Sequence, residues 1–251
     1  MAASRQPPAG PPLGFPRCPE CSYLRNGPPH TCLNCAAASF EGIAVTSCPI
    51  CSQILEGSKC PNWLCSDPAR RISKVHAIAY SSGTLRDTIL KYKYDGRKGW
   101  SLIFGRLLVA WLDQYAQKKS IDLIVANPTY VREGGASFEH TERVVEAAST
   151  EDFLEKWPFD IGNPRAILKV IATTKSAGQS ALEKRMAAAE LRGALRIPDI
   201  DRVRGKRILI YDDICTTGSQ LDAVAGFLMN EGEAVEVEGI VLARAPWRTG
   251  S

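Results

Sequence analysis

The chain has 251 residues, with 31 basic against 27 acidic side chains, a formal net charge of +4 and 45% apolar content. That apolar content suffices for one or two real cores and excludes a disordered tail or a miniature scaffold. A pI near 8.6 falls short of the value above about 9 expected of a dedicated nucleic-acid domain, so charge alone nominates no polyanionic partner.

Residues 1–16 (MAASRQPPAGPPLGFP) are rich in Pro, Ala and Gly without periodicity. Such a composition cannot offset the entropy of ordering, and the segment is expected to be a tail outside the fold. It also lacks the basic start and apolar run of a signal peptide, and no apolar stretch in the chain approaches the roughly 20 residues of a membrane span. The expectation is a soluble, cytoplasmic protein without membrane insertion.

Residues 17–66 have little apolar periodicity but carry eight of the nine cysteines, so something other than a hydrophobic core must hold them together. The thiols fall into four pairs: Cys18 and Cys21, Cys32 and Cys35, Cys48 and Cys51, Cys60 and Cys65. Tetrahedral zinc takes two such pairs per ion, so eight thiolates suffice for two structural ions, with one ion the alternative. Sequential pairing gives the quartets Cys18, Cys21, Cys32, Cys35 and Cys48, Cys51, Cys60, Cys65. Interleaved pairing gives a cross-brace. Four thiolates leave no open position for water or substrate, so zinc here would fold the segment without doing chemistry. His30 and His76 are spare ligand types.

Residues 67–74 read as a linker, and 75–251 as an α/β domain with a largely parallel sheet, because strand-like and helix-like segments alternate. Strands are predicted at Val75–Tyr80, Ile121–Ala126, Ala166–Ala172, Ile208–Tyr211 and Val235–Ala243. Helices are predicted at Thr84–Tyr94, Gly99–Gln117, Phe138–Ala148, Gln179–Leu191 and Ser219–Glu231. The clearest is Gly99–Gln117, where Trp100, Ile103, Phe104, Leu107, Leu108, Trp111, Leu112 and Tyr115 draw one apolar stripe that must face a core.

The run from Ile208 to Ser219, ILIYDDICTTGS, joins an apolar strand to two carboxylates and a small-residue loop opening a helix. Asp212 and Asp213 at the carboxyl end of a buried strand can accept hydrogen bonds from the vicinal diol of a ribose and help hold a magnesium shell. Cys215, Thr216, Thr217, Gly218 and Ser219 offer hydroxyls and backbone amides at a helix N-terminus, where the dipole favours a phosphate and a glycine lets the backbone approach it closely. An ordinary polar strand end followed by a helix cap is the plainer reading of the same residues.

This run resembles the phosphoribosyl-diphosphate (PRPP) signature of type I phosphoribosyltransferases. The resemblance implies that Asp212 and Asp213 bind the ribose hydroxyls and residues 215–219 the 5-phosphate. With the cysteine pairs, YSSGTLRDTILKYKYDGRKGW, SFEHTERVVEAA and TTKSAGQSALEKRMAAAELRGAL, the chain from about residue 18 to 245 is similar in order and spacing to the ComF family of competence-associated proteins. That similarity implies a phosphoribosyltransferase-like domain behind a zinc module. It places Asn127, Pro128, Thr129 and Tyr130 at a diphosphate loop, and Lys175 on a loop that covers the site.

Departures from the family pattern fall at Ala126-Asn127-Pro128, at Ser137-Phe138-Glu139-His140 and at Glu190. Glu139 adds negative charge that magnesium or Arg132 would have to compensate. The second cysteine quartet exceeds the single zinc site expected of the family.

Two functions follow from the resemblance. One is magnesium-dependent transfer of a phosphoribosyl group from PRPP, or a related phosphorylated ribose, to an unidentified acceptor, with Asp212, Asp213 and Lys175 in the catalytic role. The other is a non-catalytic adaptor that meets single-stranded DNA or a competence helicase. Basic residues at Lys91, Lys93, Arg97, Lys98 and at Arg202, Arg204, Lys206, Arg207 could meet a nucleic-acid backbone, or be a solvated surface.

Overall fold

A computed structural model describes residues 29–95, 97–116, 120–130, 139–173 and 181–246, without the side chains of 29–32, 181–185 and 188. The tail, Cys18, Cys21, Arg132, Ser137, Phe138 and Lys175 lie outside these residues, as do the side chains of His30 and Cys32.

Four parallel strands form the main sheet in the order β1, β6, β5, β2. They are β1 (Val75–Tyr80), β2 (Leu123–Ala126), β5 (Arg207–Cys215) and β6 (Glu236–Arg244). Strand β5 pleats so that Leu209 and Tyr211 join one core while Ile208 and Ile210 join the other, the period-two pattern of a strand buried on both faces. Helices α2 (Gly83–Tyr94), α3 (Trp100–Trp111) and α4 (His140–Glu151) bury their apolar stripes on the first face with α1 (Pro29–Ser39). Helices α5 (Ala181–Gly193) and α6 (Ser219–Asn230) supply Leu191, Leu221, Val224 and Leu228 to the second.

The predicted stripe of α3 is buried almost throughout, and its end widens into a π turn at Leu112–Ala116. On this face Phe104 stacks on Trp100 at 5.6 Å and meets Tyr92 edge-on at 5.3 Å, which locks the end of α2 against α3.

The strand predicted at Ala166–Ala172 is corrected. Only β3 (Leu168–Lys169) forms, paired antiparallel with β4 (Leu195–Arg196) outside the main sheet. Ala166 and Ile167 are buried but Val170 and Ile171 are exposed, so this apolar run has no second covered face to sit between. The outer edge of β2 is instead met at Phe159, with Ile124 N–H donating to the Pro158 carbonyl at 2.8 Å and Asp160 N–H to the Ile124 carbonyl at 2.8 Å.

Residues 67–74 run along the sheet and α6. The Arg71 and Ile72 amides both donate to Asp222 Oδ1, at 2.7 and 2.9 Å, and the Ile72 side chain is fully buried in the second core. Ahead of them, Val75 N–H donates to the Ile50 carbonyl at 2.7 Å and Ser52 Oγ to the Val75 carbonyl at 2.9 Å. The later cysteine pairs are thereby docked onto the sheet.

Candidate functional site

The carboxyl end of β5 delivers the acidic pair, at the rim where open parallel sheets bind ligands. Asp212 and Asp213 are 7% and 3% exposed. Pleating puts Asp213 on the face shared with Leu209 and Tyr211, beneath the last turn of α2 and the first of α4. From α2 comes Lys93, whose Nζ lies 3.1 Å from Asp213 Oδ1 and 2.8 Å from Oδ2. From α4 comes His140, with Nε2 3.2 Å from Oδ2. Asp213 Oδ1 also accepts from Ile214 N–H at 2.6 Å.

Among the described residues, no cation is in contact with Asp212. Its Oδ1 accepts from Asp213 N–H and its Oδ2 from Asn127 Nδ2, both at 2.9 Å. The electrostatic consequences diverge. Burial, and then the neighbouring charge of Asp213, push Asp212 up to about 7. Burial opposes ionisation of Asp213 too, but the His140 hydrogen bond and the Lys93 charge outweigh it and hold this carboxyl at about 2. For His140 and Lys93, burial works against the charged form and Asp213 overcomes it, so both titrate above their ordinary values.

Asn127 begins the loop after β2, and α4 fixes that loop. Thr141 Oγ1 donates to the Asn127 carbonyl at 2.8 Å, and Thr129 N–H donates to Glu142 Oε1 at 2.7 Å. Beside it lies a cavity of about 570 Å³ lined in part by Pro128, Thr129, Tyr130, Glu139, Arg165 and Lys169. Asn127 thus reaches the acidic pair, whereas Pro128, Thr129 and Tyr130 line the adjacent space.

Beyond β5, Cys215 to Ser219 curl into a recess that also includes Asp212. Gly218 adopts φ +87°, the left-handed conformation glycine tolerates. Thr217 and Ser219 hydroxyls lie 2.8 Å apart, and α6 starts at Ser219. Cys215 is buried, and burial pushes its thiol up to about 11.

Lys93 and His140 are the site residues that spacing does not reveal. Lys93 reads as one member of a basic surface cluster, yet its ammonium is committed to Asp213. His140 follows Glu139 at a helix start and carries no motif of its own.

The second quartet of the sequential pairing is assembled. The sulfurs of Cys48, Cys51, Cys60 and Cys65 all lie within 4.8 Å of one another, with Cys48 to Cys65 at 3.8 Å and Cys51 to Cys60 at 3.7 Å. A tetrahedral zinc with bonds of about 2.3 Å separates its sulfurs by about 3.8 Å, so four free thiols stand where such an ion needs them. Zinc held by these four would supply charge and a cross-link, not chemistry. Without a metal the sulfurs compete for protons. The Cys65 hydrogen bond, and then the Arg244 charge, hold Cys51 at about 4 against burial, while burial pushes Cys60 up to about 12. Cys35 is buried in α1.

Magnesium fares differently. Both oxygens of Asp212 and both of Asp213 already have protein partners, two of them cationic, so the pair does not fit a magnesium ion held directly by the protein.

The fold and site define an α/β protein with a mainly parallel sheet, an acidic strand end, a small-residue loop and a four-cysteine cluster toward the N-terminus. No helix among the described residues is long and apolar enough to cross a membrane. The chain is similar to the competence protein ComFC of Streptococcus pneumoniae (strain ATCC BAA-255 / R6), at 26% identity over 230 residues, covering 88% of this chain and 90% of that protein. No protein-family model matches the chain.

Proposed function

We propose that this is a ComF-type, competence-related protein whose phosphoribosyltransferase-like α/β unit binds PRPP or a closely related 5-phosphorylated ribose. One observation carries the reading: buried Asp212 and Asp213, the left-handed Gly218 and the start of α6 form one continuous strand, loop and helix. The 5-phosphate sits on the amides and hydroxyls of Thr216 to Ser219, where the helix dipole favours an anion. The ribose hydroxyls share the acceptor sites of the acidic pair, and magnesium arrives as the ligand's own counter-ion. The diphosphate and any acceptor occupy the space beside Asn127 to Tyr130, where Arg165 and Lys169 supply positive charge.

Transfer to an acceptor would break the bond between C1 and the diphosphate oxygen. Diphosphate would leave with the bonding electrons as the acceptor's lone pair forms the new bond to C1, driven by positioning and charge stabilisation.

Titration calorimetry with PRPP and magnesium tests the reading. Wild type is expected to give binding heat, and Asp213→Asn to weaken affinity about tenfold or more through loss of a charge-assisted acceptor. No heat from the wild type overturns it.

A further inference from the structure

The side chain of Arg244, at the last residue of β6, is 0% exposed. A guanidinium cannot shed its proton in a protein, so burying it demands nearby negative charge and filled hydrogen bonds. Nη1 donates to the Cys215 carbonyl at 2.8 Å and to the Thr216 carbonyl, and lies 3.3 Å from Cys215 Sγ. Nη2 reaches Cys51 Sγ at 3.6 Å. One planar fork thus faces the backbone of the candidate phosphate loop on one side and a sulfur of the cysteine quartet on the other.

Two further contacts join the same places. Asn62, between Cys60 and Cys65, donates from Nδ2 to the Thr217 carbonyl at 2.8 Å and caps the turn that carries Cys65. Leu64 Cδ2 lies 3.3 Å from where a Cβ on Gly218 would be. The quartet and the loop are therefore walls of one buried contact. A tetrathiolate zinc centre is an overall dianion whose sulfurs are stabilised by donors around them.

We propose that Arg244 and Asn62 are positioning residues that make zinc occupancy of Cys48, Cys51, Cys60 and Cys65 and the shape of the 215–219 loop mutually dependent. Zinc anchors the sulfur that Arg244 faces, Arg244 holds the carbonyls of Cys215 and Thr216, and the loop amides are presented in a fixed array. By linkage, whatever orders the loop must also tighten the binding of zinc. The inference deepens the phosphate reading of the loop, but its test contains no ligand, so its failure is distinct from a failure to bind PRPP.

Zinc release to a chromogenic chelator and amide hydrogen exchange are measured on the full chain, well below its melting temperature. Wild type is compared with Arg244→Lys, which keeps the charge and loses the fork, and with Asn62→Ala. Both variants are expected to release zinc about tenfold faster and, while still loaded, to exchange amides in peptides covering 214–220 about tenfold faster. Stripping zinc from the wild type should produce the same gain there, over and above any gain in peptides covering 121–127, which report global opening. Retained protection of 214–220 after stripping overturns the coupling, as does faster loop exchange with unaltered zinc release, or a gain spread equally to 121–127. Should both variants fail to fold, the stripped wild type decides alone.

Discussion

Asp212 and Asp213 sit on consecutive residues of one strand, yet pleating sends them to different surroundings, and their contributions to stability run in opposite directions with pH. Asp213, held at about 2, contributes stability above the ordinary carboxylate value near 3.9 and loses it as pH falls through about 2. Asp212, raised to about 7, and His140, raised from 6.5, do the reverse. Their stabilising share is complete below the unfolded value and lost as pH rises through the folded one. From about pH 5, through about pH 7 for Asp212 and on above 6.5 for His140, the cluster should therefore cost the wild type about 3 °C or more of melting temperature. His140→Gln and Asp212→Asn each remove one titration and should flatten that decline. Scanning fluorimetry across the window checks it: variants that decline as steeply as wild type contradict the assignment.

Helix packing sets where these residues end up, and α3 against α4 is the tightest case. A Cβ at Gly105 would meet Ala148 N at 2.6 Å and the Ala147 carbonyl carbon at 2.8 Å, both backbone atoms that cannot turn aside. Nearby, Arg106 and Glu151 form a buried ion pair at 3.4 Å. Gly105→Ala must therefore push α4 away and is expected to cost about 1–3 kcal/mol, a fall of about 3–9 °C, measurable by urea and thermal unfolding. A change under 1 °C would show that α4 yields without cost. The stripe from Trp100 to Leu112 was legible because a helix's period is local. Gly105 inside that stripe was not, since its reason lies on another helix. The run at 166–172 failed for the same cause: apolar residues announce burial only if the fold brings two faces to them.

Across the whole molecule, the acidic pair and its loop were readable because strand, carboxylates, glycine and helix start are contiguous. Lys93 and His140 come 120 and 73 positions before Asp213, and only the folding of α2 and α4 onto β5 assembles them. The cysteine quartet was legible as ligands, while its docking on the sheet through Ile50, Ser52, Asn62 and Arg244 was not. That docking makes the quartet part of the global fold. Zinc binding to the native state alone, at a thousandfold excess over Kd, adds about 4 kcal/mol, or about 10 °C for a chain of this size. Chelation should lower the melting temperature by that order, and Cys60→Ser, which removes a ligand without touching Arg244 or the loop, should match the fall and shrink the chelator's further effect. Were the quartet a separate appendage, calorimetry would instead show a main transition indifferent to chelator, because the sheet would melt without reference to the sulfurs. The hydrogen bonds from Asn62 to Thr217 and from Val75 to Ile50 argue for a single transition that moves as a whole.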